Sequence, residues 1–269
     1  MKDKIVLITG STDGIGKQTA IELVRLGATV VLHGRSAERG QAALDEVRRI
    51  TGSDKLDYVA ADLSSQKQVR ALADQVREKY ERLHVLINNA AVVMNKRQLT
   101  EDGLEMTFAV NHLAPFLLTH LLLDVLKRGA PARIVNVSSG THQGARMDFD
   151  NLQGEKRYDG YTAYALSKLG NVLFTYELAE RLKGTGVTVN CLHPGVITTK
   201  LLRAGWGSAG ASLEEGAATP VYLASAPEVE TVTGQYFVRK QPAPSAAPTH
   251  DTKLRQEFWK VSARLTGLA

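Results

Sequence analysis

Ile5-Val6-Leu7-Ile8-Thr9-Gly10-Ser11-Thr12-Asp13-Gly14-Ile15-Gly16 is the stretch on which the reading of the fold turns. An unbroken, mostly β-branched apolar run fits a strand buried on both faces, as interior strands of parallel sheets are. The glycines that follow lead into Ile21, Leu23, Val24 and Leu26, which are stopped by Gly27 and predict an amphipathic helix. Between a strand and a helix, such a loop can hold an anion on the free N–H groups of the helix start. Gly10 would allow the tight turn, Gly14 a close backbone approach to a pyrophosphate, and Gly16 the packing of helix on sheet. The candidate binding loop is therefore Gly10, Ser11, Thr12, Asp13, Gly14, Ile15 and Gly16. Its spacing is Gly-x3-Gly-x-Gly, and taken alone such a loop is more often only a turn.

Outward from this unit the pattern repeats. Thr29–His33 reads as a strand and Ala37–Ile50 as a helix, followed by a strand at Leu56–Ala60 with Asp62 just past its end. A polar amphipathic helix is expected over Ser65–Tyr80, a strand at Val85–Asn88 and a long helix over Leu104–Lys127. Unbroken alternation argues for an α/β fold: one doubly wound (Rossmann) parallel sheet of about seven strands with helices on both faces. No Gly/Ser linker divides the chain, so residues 1–269 are expected to form a single domain. A glycine-broken segment at about 196–213 suggests a substrate loop on mobile hinges. Gln241–Pro248 reads as an extended connector, and Leu254, Phe258, Val261 and Leu265 mark a C-terminal helix at about 251–267.

The totals narrow the function classes. A hydrophobic fraction of 43% with 23% charged residues is that of an ordinary globular protein. The net charge of +5 is scattered, which suits a phosphate-bearing ligand and gives no nucleic-acid stripe. One cysteine, Cys191, excludes an internal disulfide framework and suits a reducing compartment. The N-terminus runs directly into a strand, and the Leu117–Leu123 patch is interrupted by His120, Asp124 and Lys127. No leader, no membrane anchor and a cytoplasmic location are the expectations. His112, His142 and His193 pair with no other ligands at metal-site spacing, so no metal is expected.

The chemistry concentrates between Arg133 and Lys168. Arg133-Ile134-Val135-Asn136-Val137 reads as a buried strand whose end, Ser138-Ser139, emerges at the carboxyl edge where ligands bind in open α/β sheets. Tyr164 and Lys168 stand one helical turn apart on one face, a phenol beside an ammonium, with a buried Tyr and a snorkelling Lys as the bland alternative. A free phenol titrates near ~10, so acid/base work needs a shift of about 2–3 units. A unit charge at ~4 Å is worth about 4 kcal/mol at an effective dielectric of ~20, barely enough with burial opposing it. At the end of the second strand His33-Gly34-Arg35 offers no acid for a ribose 2′-hydroxyl, with Arg39 one turn on. That favours NADP(H) over NAD(H).

With these residues in view, the chain resembles the short-chain dehydrogenase/reductase family along nearly its whole length. Thr9-Gly10-x3-Gly14-x-Gly16, Asp62-Leu63 (meeting adenine), Asn88-Asn89-Ala90-Ala91, Asn111, Ser139, Tyr164-x3-Lys168 and His193-Pro194-Gly195 with Thr198 match its motifs in order. Ala91 replaces an expected Gly, and Ser139 lies 25 residues before Tyr164, a longer gap than many members show. Asn111–Thr119 and Asn151–Glu155 resemble the retinol dehydrogenase-like branch. The resemblance implies reversible hydride transfer between a nicotinamide cofactor and a carbonyl or alcohol, while Met94, Met147, Leu202 and Trp206 suggest an apolar ligand. In that scheme Tyr164 is the proton donor and Ser139 polarises the oxygen. Lys168 lowers the phenol's pKa and holds the nicotinamide ribose, and Asn111 holds a relay water. Asn89, Ala90, Ala91, Pro194, Gly195, Val196 and Thr198 join Arg35, Asp62 and Leu63 on the cofactor. Two alternatives stand: an enoyl reductase using the Tyr161-x6-Lys168 spacing, or a sensor that binds NADP without chemistry. The long helix and the Tyr164 helix further suggest a four-helix interface in a homodimer or homotetramer.

Overall fold

A computed structural model describes residues 1–207 and 209–269. Ser208 and the side chain of Trp206, both within the expected substrate loop, lie outside the described residues. The chain begins β1 (Ile5–Ile8), α1 (Gly14–Arg25), β2 (Thr29–Gly34), α2 (Ala37–Thr51), β3 (Leu56–Ala60), α3 (Gln66–Lys79) and β4 (Val85–Asn88). It continues with α4 (Met106–Phe108), α5 (Ala114–Arg128), β5 (Ala132–Val137), α6 (Gly160–Arg181) and β6 (Val187–His193). The last elements are α7 (Lys200–Trp206), α8 (Leu213–Ser225), β7 (Tyr236–Val238), β8 (Gln241–Pro242) and α9 (Thr252–Leu265). Among the described residues eight strands form one sheet in the order β3-β2-β1-β4-β5-β6-β7-β8, parallel except for the β7–β8 pair. The eighth strand is the start of the proline-rich stretch, which the sequence suggested only as an extended connector. Strand order reverses between β1 and β4, and the crevice outside their carboxyl ends is where such a sheet binds ligands.

Side-chain alternation along the strands builds a core on each face. Leu7, Leu86 and Ile134 point one way, into a layer with Leu72, Phe116 and Phe174. Val6, Ile8, Ile87 and Val135 point the other way, onto Ile21, Leu23 and Leu223. The expected long helix starts at Met106 because the Glu105 carboxylate caps the N–H groups of Thr107 and Phe108 at 2.9 and 2.7 Å. It is also not uniform: Ala109–Leu113 forms a π-turn between α4 and α5. Met106–Arg128 is the one stretch among the described residues long and apolar enough to cross a membrane, and 78% of its apolar window is buried inside the protein. It is a core helix.

α9 seats its apolar stripe on α6 and the π-turn. Phe258 is 1% exposed and packs with Phe108, Leu113, Leu169 and Leu173. A Cβ at Gly170 would come within 2.8 Å of the Phe258 ring, so glycine there admits the aromatic. Ser262 meets His112 Nε2 at 2.9 Å, and Trp259 stacks edge-on against Phe116 with ring centroids 5.0 Å apart. The chain's own last helix thus packs on α6 and on the Phe116–His120 part of α5, beside the surface expected to pair with a second subunit.

Candidate active site

The glycine loop is built from short reaches. Gly10 turns with φ +64°, its N–H donating to His33 Nδ1 at 3.2 Å. The Ser11 hydroxyl donates to the Ile8 carbonyl and accepts from the His33 N–H, so Ser11 is buried beneath the loop and does not face the cavity. Gly16 is small for a different reason than helix–sheet packing: a Cβ there would lie 2.5 Å from Asn89 Nδ2 and 2.4 Å from the Gly10 carbonyl oxygen. Asn89 donates to the carbonyls of Thr9 and Gly10 at 2.9 and 3.1 Å and stitches the loop to the end of β4. Asp13 caps α1 through the Gly14 N–H at 2.8 Å. Among the described residues no side chain caps the N–H of Ile15 or Gly16, the pair an anion would meet.

A cavity of about 760 Å³ runs along the carboxyl edge from this loop to Tyr164. Gly10, Thr12, Asp13, Gly14, Ile15 and Gly16 line one end with Arg35, Asp62 and Leu63. Asn89, Ala90 and Ala91 form the middle, and Tyr164, Lys168 and Pro194 the far end. Ala91 sits where the resemblance implies glycine, and the backbone there takes no positive φ. Arg35 and Arg39 are both exposed at the cavity edge, and among the described residues neither forms an ion pair.

At the far end Tyr164 is 6% and Lys168 1% exposed, with the lysine Nζ 5.5 Å from the phenol ring centroid. Of the two serines, Ser139 hydrogen-bonds the phenol, while the Ser138 hydroxyl turns back to the Lys168 carbonyl at 2.8 Å. Tyr161 is 54% exposed and does not line the cavity, so the enoyl-reductase spacing finds no phenol in place. The expected electrostatics are reversed in the free protein. Burial pushes the Tyr164 phenol up to about 12, with the Ser139 bond pulling only partly against it. Burial likewise pulls Lys168 down to about 7. Against that burial the Val137 carbonyl accepts from the Lys168 Nζ at 3.0 Å.

Asn111 is buried in the π-turn. Its Oδ1 accepts the Val92 N–H at 2.8 Å, and its Nδ2 donates to the Val92 carbonyl and to Ser167 Oγ at 2.9 and 3.1 Å. The amide ties the π-turn to the β4 loop and α6, using both Nδ2 hydrogens and one of the two Oδ1 acceptor sites. Gly195 and Val196 are exposed on the loop beyond the cavity lining. Thr198 faces away too: it accepts from the Gly210 N–H and donates to the Gly210 carbonyl, both at 2.8 Å. Those two bonds and the Ile197–Ala211 bridge close the base of the segment expected to be a substrate loop. Its neighbours Thr199, Lys200 and Leu201 are the ones that line the cavity, with Thr199 capping α7. Lys200 pairs with Asp13 at 2.5 Å, which joins α7 to the glycine loop. Sequence reasoning missed Thr199 and Lys200 because only the Thr198 hydrogen bonds show which way adjacent threonines turn. It also passed over His33, whose Nε2 reaches the Ala61 carbonyl at 3.1 Å while Nδ1 carries Gly10.

Residues 4–206 match the family model described as short chain dehydrogenase. Retinol dehydrogenase 13 of Homo sapiens is 45% identical over 285 residues, covering 98% of this chain and 85% of that protein. Retinol dehydrogenase 11 of Homo sapiens is 43% identical over 274 residues, covering 98% and 86%. Among solved structures, an uncharacterised protein from Mycobacterium paratuberculosis superposes with a TM-score of 0.84 at 32% identity, covering 99% of this chain and 94% of that one. The NADP active-site complex of Pseudomonas aeruginosa RhlG gives 0.73 at 27% identity, covering 88% and 94%.

Proposed function

The chain belongs to the short-chain dehydrogenase family, and on that premise we propose that it is an NADP(H)-dependent oxidoreductase acting on the carbonyl or alcohol of an apolar small molecule. The observation that carries this reading is the Tyr164–Lys168 pair, buried at one end of a cavity whose other end is the glycine loop, with Ser139 bonded to the phenol from just behind the lining. The free N–H groups of Ile15 and Gly16 fit a diphosphate, and Arg35 and Arg39 at the end of β2 fit a 2′-phosphate where a carboxylate would repel it. Asp62 and Leu63 would flank the adenine, and Asn89, Ala90, Ala91 and Pro194 would border the chain of the cofactor toward its nicotinamide. The substrate end is walled by Val92, Met94, Met106, Val110 and Leu201, which suits an apolar ligand. The retinol dehydrogenase relatives and the NADP-bound neighbour support the same substrate and cofactor classes.

When bound, the nicotinamide supplies or accepts the hydride. The protein manages the oxygen. Ser139 holds the substrate oxygen, and Tyr164 gives it a proton as alkoxide charge develops on reduction. Lys168, held by the Val137 carbonyl beside the phenol ring, would support the proton transfer at Tyr164 and hold the nicotinamide ribose. Asn111 fixes the π-turn against α6 and so keeps Ser167 and the Tyr164 turn in place.

Loss of NADPH absorbance with a panel of apolar aldehydes, ketones and quinones tests the assignment. Tyr164→Phe is expected to cut turnover by about 10²- to 10⁴-fold, with NADPH affinity retained. Near-normal turnover in that variant would remove Tyr164 from the mechanism. NADPH binding without turnover of any carbonyl by the wild type would favour a sensor.

A further inference from the structure

The turn that carries Ser139 is gripped from behind by a histidine that the mechanism above does not use. His142 lies in the 3-10 turn Gly140–Gly144 and is fully buried. Its Nδ1 is 2.6 Å from the Ser139 carbonyl oxygen, and its Nε2 is 3.1 Å from the Ala246 backbone nitrogen. A carbonyl oxygen can only accept and a backbone N–H can only donate. The ring is therefore neutral, with its hydrogen on Nδ1. The Tyr236 ring, 4.7 Å away centroid to centroid, fixes the imidazole plane.

The far end of this contact is itself anchored. Ser245, next to Ala246, meets the Tyr176 hydroxyl of α6 at 2.8 Å and Thr249 Oγ1 at 2.7 Å. Gln143 adds a second stitch to the same strap, donating to the Pro244 carbonyl at 2.8 Å. The Ser139 backbone is thus tied through one imidazole to a segment more than a hundred residues later. Where the Ser139 hydroxyl points follows from that backbone, at the start of a turn whose Thr141 N–H it also caps at 3.3 Å.

We propose that His142 is a positioning residue for the reaction: by clamping the Ser139 carbonyl to the Ala243–His250 strap it aims the Ser139 hydroxyl at the Tyr164 phenol and the substrate oxygen. The inference rests on the oxidoreductase reading above. It assigns the C-terminal strap a part in chemistry although no strap residue lines the cavity.

The two hydrogen bonds can be separated by substitution. In His142→Asn the side-chain amide N–H falls near the place of Nδ1 and keeps the Ser139 bond. In His142→Gln the amide oxygen falls near Nε2 and keeps only the Ala246 bond. His142→Gln is expected to lose about 10- to 100-fold in kcat, with KM and NADPH affinity within about threefold of wild type. His142→Asn, which keeps the Ser139 bond but frees the strap, is expected to lose kcat as well, again with KM and NADPH affinity within about threefold of wild type. Wild-type kcat in either variant overturns the proposal, because either lost bond opens the clamp. Ser139→Ala, run alongside, separates the two levels: if it turns over normally the role given to Ser139 fails, whereas its inactivity beside an active His142→Gln sinks the clamp alone. The ¹⁵N spectrum of the His142 ring in the wild-type protein is a readout independent of turnover. A neutral ring protonated on Nδ1 supports the clamp, and a ring protonated on Nε2, or on both nitrogens at neutral pH, overturns it.

Discussion

The glycine-loop half of the cavity and the C-terminal segment after β6 are held together in opposite ways. Around the loop most shaping bonds join residues 3, 22 and 23 positions apart (Ser11 to Ile8, His33 to Ser11, Gly10 to His33), with Asn89 adding a stitch from 79 and 80 positions on. In the last part of the chain they join residues 104, 150 and 199 apart: Ala246 to His142, Ser262 to His112, and Gln66 to Leu265. The first region can be specified by a strand, a turn and a helix in sequence order. The second needs surfaces that already exist, namely the α6 face, the π-turn and the Ser139 turn. Its packing therefore reports on the finished fold, while the loop reports on local sequence.

The largest effect expected from this contrast is on stability. Phe258 fills the slot opened by Gly170 and touches the His112 ring with centroids 4.6 Å apart. Phe258→Ala is expected to cost about 3–5 kcal/mol, as for other fully buried aromatics, and to be read as a lower denaturant midpoint. NADPH affinity of the folded fraction should be unchanged, because no residue of α9 lines the cavity. A loss below about 1 kcal/mol would mean that α9 is not part of the cooperative unit.

The same contrast explains what the sequence reveals. The strands up to β4, the glycine loop, Asp62-Leu63 and the Tyr164-Lys168 pair were legible because each depends on a local period or spacing. The electrostatics of the pair were not, since whether a lysine acts as a cation or a near-neutral amine depends on burial set by α6, β5 and the Ser138 turn. That the Asn111 amide ties a π-turn to Val92, nineteen positions earlier, was not legible, since no helical period announces such a turn. Thr198 and Thr199 could be told apart only by the Gly210 bonds that turn one outward. The packing of α9 on α6 was half visible: the Leu254–Leu265 stripe showed that something would be buried, but not that its partner lay in the same chain.

Each region also packs on a buried histidine, His33 beneath the loop and His112 beneath α9, and acid should test both. Burial pulls His33 down to about 4 and His112 down to about 3, against the ordinary 6.5. The nearby Asp62 charge and the Ala61 carbonyl raise His33 only in part. Above pH 6.5 neither the folded nor the unfolded chain carries these protons, so nothing is lost there. As pH falls below 6.5 the unfolded chain takes up protons that the fold refuses, down to about 4 for His33 and about 3 for His112. Stability should fall across that window by about 1.4 kcal/mol per pH unit for each histidine. For His33 alone the full loss by pH 4 is about 3 kcal/mol. Urea unfolding of His33→Asn at several pH values between 7.5 and 5 should therefore show a shallower pH dependence than wild type by about that one-proton slope. An unchanged slope would mean that His33 is not held neutral between Gly10 and Ala61.

The smallest effect concerns discrimination at the rim of the loop region, where the contacts are exposed. Arg35 and Arg39 stand beyond the end of β2, and the Tyr58 hydroxyl steadies the turn between them by donating to the Ser36 carbonyl at 2.7 Å. A charge-assisted bond to a phosphate corresponds to about 10- to 100-fold in affinity, and exposure to solvent and salt places these arginines toward the lower end. Arg35→Ala should therefore weaken NADPH binding by about tenfold at low ionic strength while leaving NADH almost unaffected. The wild type should bind NADPH more tightly than NADH, and that preference should shrink as salt is added. Equal weakening toward both nucleotides would show that Arg35 serves the diphosphate or the loop rather than the 2′-phosphate. Tighter NADH than NADPH binding in the wild type would overturn the NADP(H) preference itself, and with it the inference drawn from an arginine where the second strand has no acid.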